Sequence, residues 1–168
     1  ALVNDQVDRL EGWLKGQERL TLCHFTSETP EKASSAKNLP DYPRCRHRTR
    51  QQARGLENHK GFKISPVERA DPPDILITNY SMLEYMLCRP QDRVFFGEGL
   101  RCVVLDEAHL YTGTLAAEMT LLMRRLYDKC GVVSDQVMQF ATSATIGTGA
   151  PKELQDFAST IFSKPTEH

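Results

Sequence analysis

Apolar side chains recur at Val3, Val7, Leu10 and Leu14, with Trp13 beside them. That spacing predicts a helix over residues 2–15. The run RLTLCHF at 19–25 is short, apolar and β-prone, and predicts a strand. From Thr26 to Asp74 the pattern fades, with prolines at 30, 40 and 43 and a basic stretch containing Arg44, Arg46, Arg48, Arg50 and Arg54. Residues 27–72 therefore read as an insertion or mobile loop, part of it forming a surface helix. A basic run of this kind is more often a solvated face than a phosphate contact.

After Pro72-Pro73 the pattern sharpens. DILIT at 74–78 and LRCVVLD at 100–106 read as strands, and so does VMQFAT at 137–142. Between and after them come a short helix at 81–89 and a strongly amphipathic one at 114–130, striped by Leu115, Met119, Leu122 and Leu126. A last helix at 151–162 opens on Pro151, which suits a first turn. The strands alternate with helices and lack polar alternation, as strands buried on both faces of a parallel sheet do. The expected fold class is α/β with a mostly parallel sheet flanked by helices.

Composition narrows this only modestly. The chain has 168 residues, 40% hydrophobic and 26% charged, with a formal net charge of -1. That suits one ordinary globular core and excludes a uniformly basic nucleic-acid trap. Five cysteines without a C-x-x-C pair read as reduced intracellular thiols, so a cytoplasmic location is expected. Cys45-Arg-His47 alone does not make a zinc site. No stretch reaches transmembrane length, and residues 1–10 lack the pattern of a signal peptide. The opening Ala and the immediate helical pattern read as a start inside a domain.

The chemistry concentrates in VVLDEAH at 103–109, where an apolar strand delivers two adjacent carboxylates at its C-terminal end. Ligands bind at that edge of doubly wound sheets. One carboxylate there can hold Mg²⁺ through water, and the next can orient an attacking water. An isolated Asp-Glu pair more often only complements a helix N-terminus. Here, however, FATSAT follows about thirty residues later at another strand end.

With these segments in hand, the chain resembles superfamily-2 helicases of the DEAD/DEAH-box class. DEAH at 106–109 resembles motif II (Walker B), SAT at 143–145 motif III, ALVNDQ at 1–6 the tail of motif Ia, and DILITNYSML at 74–83 the motif Ib region. The similarity is greatest to bacterial helicases carrying a C-terminal domain of unknown function, some of them in phage-defence systems. It spans the chain except roughly residues 30–70.

The resemblance implies a RecA-like domain over 1–168, incomplete at its N-terminus, with ATP and Mg²⁺ as cofactors. Asp106 would coordinate Mg²⁺ through water, and Glu107 would be the catalytic carboxylate. His109, Ser143, Ala144 and Thr145 would couple the nucleotide site to the rest of the machine. Asn4, Thr78 and Asn79 would contact nucleic acid, DNA rather than RNA, and a second RecA-like lobe would be a partner. Plainer roles stand beside these. Asn79 can cap the next helix, Asn4 and Asp5 can cap theirs, Ser143 and Thr145 can cap a turn, and His109 can pack near a helix start. Arg124 and Arg125, downstream of Glu118, read as a surface ion-pair face.

No G-x-x-x-x-G-K-[ST] loop occurs in the sequence, so the expected phosphate cradle lies outside these residues. The isolated chain is expected to hydrolyse ATP weakly or not at all. Two alternatives remain: a non-catalytic nucleic-acid-binding or scaffold module with a helicase-like fold, and a metal hydrolase using Asp106, Glu107 and His109 as ligands.

Overall fold

The computed structural model describes residues 2–17, 19–32, 34, 49–56, 72–143, 151–162 and 164. The side chains of residues 2–5, 8, 11 and 151–154 are outside that description. The element order is α1 (Leu2–Trp13), β1 (Leu22–His24), α2 (Arg50–Ala53), β2 (Ile75–Ile77), α3 (Tyr80–Cys88), β3 (Cys102–Leu105), α4 (Thr114–Cys130), β4 (Met138–Ala141) and α5 (Pro151–Phe162). The chain divides into two compact units, Ala1–Phe95 and Phe96–His168. The fold is α/β with parallel strands and flanking helices, as the alternation of patterns implies.

In the first unit β1 pairs with β2 in parallel, Leu22 opposite Ile75 and His24 opposite Ile77. Its core is built from Val7, Leu22, Cys23, Phe25, Ala53, Met86 and Leu87. Phe25 meets Phe95 edge to face, their ring centroids 5.2 Å apart. Trp13, placed by its spacing beside the apolar stripe of α1, is instead 76% exposed. It sits at the last residue of the helix, past the stretch where Val7 is buried.

The basic stretch departs from expectation as well. Arg54 is buried and ion-paired to Asp92 and Glu31, so it belongs neither to a solvated face nor to a phosphate site. Thr49 caps α2 in a reciprocal capping box with Gln52, and both are buried. Arg44, Arg46 and Arg48 lie outside the described residues.

In the second unit β3 and β4 pair in parallel, Cys102 opposite Met138 and Leu105 opposite Ala141. The crossover between them is α4, ended by Gly131 in the left-handed conformation that glycine adopts without a Cβ clash. Met119, Leu122, Met123, Leu126, Tyr127 and Cys130 of α4 are buried, and α4 packs against α5, which contributes Ile161 and Phe162. Leu115, counted in the stripe by its spacing, is exposed near the start of the helix. Arg124 and Arg125 are exposed on the same helix.

The Tyr127 hydroxyl accepts a hydrogen bond from Gln139 Nε2 (3.3 Å), which places α4 on the sheet face that carries Gln139. The opposite face carries Val104, Met138 and Phe140, all more than half exposed. Burial on both faces, expected from the apolar runs, is thus not met for this pair, because one crossover helix covers one face. Cys23, Cys88, Cys102 and Cys130 form no disulfide among the described residues. No helix of the described residues is long and apolar enough to cross a membrane.

Candidate nucleotide site at the ends of β3 and β4

The parallel pairing of β3 with β4 brings the two strand ends side by side. Just beyond the strands the ladder continues, with Thr142 N–H donating to the Leu105 carbonyl (2.9 Å) and Ala108 N–H donating to the Thr142 carbonyl (2.7 Å). These two bonds staple the turn holding Asp106 and Glu107 to the segment holding Thr142 and Ser143. The acids lie where the strand stops, ahead of a single 3-10 turn at Ala108–Leu110, and not inside a helix.

Within that turn the two carboxylates diverge. Asp106 Oδ1 accepts a hydrogen bond from the Thr142 hydroxyl. Glu107 takes φ 52° and ψ 44°, and among the described residues it alone has a positive φ without being glycine. An L-residue there is held by its surroundings at a steric cost. Its Oε2 is buried without a hydrogen bond, 3.3 Å from His109 Nδ1. The same Nδ1 shares a hydrogen bond with Ser143 Oγ at 3.0 Å. An Nδ1–H would serve both oxygens, whereas a bare Nδ1 would serve only the serine hydroxyl. Glu107, His109 and Ser143 are therefore one connected set, with Asp106 held beside it by Thr142. Ala144 and Thr145 lie outside the described residues.

Two further residues join the set that their sequence positions did not single out. Thr142 holds Asp106, a role that becomes visible once the register of β3 on β4 is known. Tyr111 is half-buried, and its phenol is pushed above the ordinary tyrosine range, first by burial and then by the negative charge of Asp106.

Mg²⁺ accepts few protein ligands, commonly one or two carboxylates, and takes the rest from water and phosphates. A strand-end carboxylate oriented by a hydroxyl fits that donor set. Among the described residues no cluster of three His, Cys, Asp or Glu side chains is placed to hold an ion, so the metal-hydrolase alternative has no ligand cage here.

In the first unit, Thr78 and Asn79 stand at the C-terminal end of β2. The Thr78 hydroxyl donates to the Phe25 carbonyl (2.8 Å), tying the end of β2 to the end of β1. Asn79 caps α3, its side-chain oxygen accepting from Met82 N–H (2.9 Å). The capping reading of Asn79 is thus what the structure contains, and it leaves the residue at an exposed strand end. Asn4 and Asp5 fall within α1 rather than at a flanking cap, and their side chains are outside the described part.

Residues 1–154 match the family model for the DEAD/DEAH box helicase. Over 86 residues the chain is 44% identical to Druantia protein DruE of Escherichia coli (strain UMEA 4076-1), a stretch amounting to 45% of this chain and 5% of that protein. The chain thus corresponds to a small part of that relative's length. No solved structure matches. The strand-end acids, the apposed serine and histidine, and a family match over nearly the whole sequence converge on one statement: the chain belongs to the DEAD/DEAH box helicase family.

Proposed function

We propose that this chain supplies the Walker B half of an ATP site in an ATP-dependent helicase or translocase that moves on DNA in the cytoplasm. The observation that carries the reading is the stapled turn, where the Thr142 hydroxyl orients Asp106 while Glu107 and Ser143 converge on His109. Asp106 would hold Mg²⁺ through water. The bound ion would neutralise charge on the phosphates. Glu107, with one oxygen buried and without a hydrogen bond, is set to orient and accept a proton from the attacking water.

His109 and Ser143, with Ala144 and Thr145, would transmit the nucleotide state toward a second RecA-like lobe. Asn4, Thr78 and Asn79 would meet the strand, using side-chain amides and the backbone N–H groups at the N-terminus of α3 toward phosphates. DNA is preferred to RNA because of the resemblance to the helicases with the extra C-terminal domain. The glycine-rich lysine loop is not among the 168 residues, so turnover by this chain alone is expected to be weak.

The test uses the intact gene product. Asp106→Asn and Glu107→Gln should each lower strand-stimulated ATPase by about 100-fold or more, the usual scale for removing a positioned acid or base. Single-strand binding should survive in both. Normal turnover in either variant would overturn the assignment. Stimulation by an oligoribonucleotide but not by the matching oligodeoxynucleotide would overturn the preference for DNA.

A further inference from the structure

Between β1 and β2 the sequence is long, and its polar and basic character hides a buried charge network. Arg54, just after α2, is 2% exposed at its side chain. Its Nε donates to Asp92 Oδ1 at 2.6 Å, and its Nη1 donates to Glu31 at 2.8 Å. Its guanidinium lies over the Phe25 ring, 5.3 Å from the centroid. Asp92 is fully buried in the 3-10 turn Pro90–Phe95 that follows α3. Its Oδ2 has no hydrogen bond, with Arg89 Nε 3.7 Å away. One planar fork thus joins the loop after β1, the segment after α3 and its own helix. A lysine, with a single point of charge, cannot reproduce that.

Among the described residues, backbone and side-chain bonds from α2 and from the loop itself hold the loop after β1 beside this fork. Thr29 closes it internally, donating its hydroxyl to the His24 carbonyl (2.6 Å) and accepting from Thr26 N–H (2.8 Å). From outside, Arg50 N–H donates to the Pro30 carbonyl and Gln51 N–H to that of Glu31, while Arg50 Nε donates to the Thr29 carbonyl. On its other side the loop begins at Phe25, whose N–H and carbonyl are bonded to Ile77 and Thr78. The chain from Arg54 to Thr78 is therefore continuous: guanidinium, Glu31 and Phe25, then the Thr78 hydroxyl, then the Asn79 cap of α3. The far end of α3 is tied back to Arg54 through Asp92.

We infer that Arg54 is a positioning residue for the strand-binding edge, fixing Thr78 and Asn79 by clamping the β1 loop and the far end of α3 together. It touches no strand itself. The inference rests on the proposal that Thr78 and Asn79 meet nucleic acid.

The test is binding of a labelled oligothymidylate by the intact protein, together with ATPase titrated against the same strand. Arg54→Lys keeps the charge and loses the fork. Glu31→Ala cuts the loop from the fork at a side chain 40% exposed, leaving no buried charge alone. Each should raise the half-saturating strand concentration about 3- to 10-fold, the range for residues that act without touching the ligand. Turnover at saturating strand should stay within about twofold, since each variant leaves the nucleotide carboxylates intact.

Asn79→Ala, run alongside, separates the two ideas. If Asn79→Ala weakens strand binding and neither other variant does, the inference about Arg54 falls and the edge stands. If Asn79→Ala also leaves binding unchanged, the reading of the edge falls as well. A loss of turnover without a change in half-saturation, or loss of folding in both Arg54→Lys and Glu31→Ala, marks a structural lock only and overturns the inference.

Discussion

At Glu107 backbone conformation and chemistry pull in opposite directions. Its φ of 52° lies where a Cβ crowds the following carbonyl, at a cost of about 1–2 kcal/mol for an L-residue. Glycine escapes that cost but makes the unfolded chain more flexible, which offsets part of the gain. Glu107→Gly is therefore expected to leave stability unchanged or raise it by up to about 1 kcal/mol, while removing strand-stimulated ATPase. Glu107→Val, β-branched and poorly suited to this region, should lower stability by about 1–2 kcal/mol. Urea midpoints of the two variants against the parent check this. A glycine variant less stable than the parent would show that the carboxylate's contact with His109 outweighs the backbone term. The acids themselves were legible in the sequence because an apolar run ended in them. Thr142 was not, since its bond to Asp106 spans two strands and depends on register.

Among the elements, α4 gives the sharpest contrast between neighbours. Leu122 is 2% exposed and Leu121 is 58% exposed, one residue apart on the same helix. Leu122→Ala should cost about 2–5 kcal/mol through lost burial and the cavity left behind. Leu121→Ala should stay within about 0.5 kcal/mol, alanine being a better helix former at a solvated position. Thermal and urea melts of both variants decide it, and equal losses would mean that α4 does not present Leu122 to the core.

The bounds of this helix and of α5 were readable to the residue, and the α4 stripe was readable from Met119 onward, because its apolar positions repeat with the helical period. The segment around α2 was not. It is buried through capping by Thr49 and ion pairing to Asp92, 38 residues away, and neither leaves a hydrophobic pattern. A run of arginines looks the same whether its charges meet water or a buried carboxylate. The strand faces misled for the opposite reason. Val104, Met138 and Phe140 satisfy the apolar pattern, yet no described element covers them, because burial depends on which neighbours arrive rather than on the strand alone.

For the molecule as a whole, the telling variable is alkaline pH. Three groups in the second unit carry raised proton affinities. Burial lifts the Cys130 thiol, partly opposed by a hydrogen bond from the Gly97 backbone. Burial lifts the Tyr127 phenol, partly opposed by its bond from Gln139. Burial and then the charge of Asp106 lift Tyr111. In each case the folded chain keeps its proton to higher pH than the unfolded chain does. Stability from these groups is fully present below the unfolded values, about 8.5 for a thiol and about 10 for a phenol. It is lost as pH climbs through the folded values, because the unfolded state releases its protons first. The urea midpoint should therefore be level up to about pH 8 and fall above it in two stages, thiol first and phenols second. Cys130→Ala should flatten the first stage, and Tyr127→Phe should shallow the second. Because all three groups belong to Phe96–His168, amide protection in α4, taken relative to the base-catalysed intrinsic rate, should fall with alkalinity before protection in α3 does. A midpoint that stays level past the phenol range, or a first stage untouched by Cys130→Ala, would mean that these side chains are reached by water in the folded protein, and that the packing of α4 over the sheet is looser than the buried positions of Tyr127 and Cys130 imply.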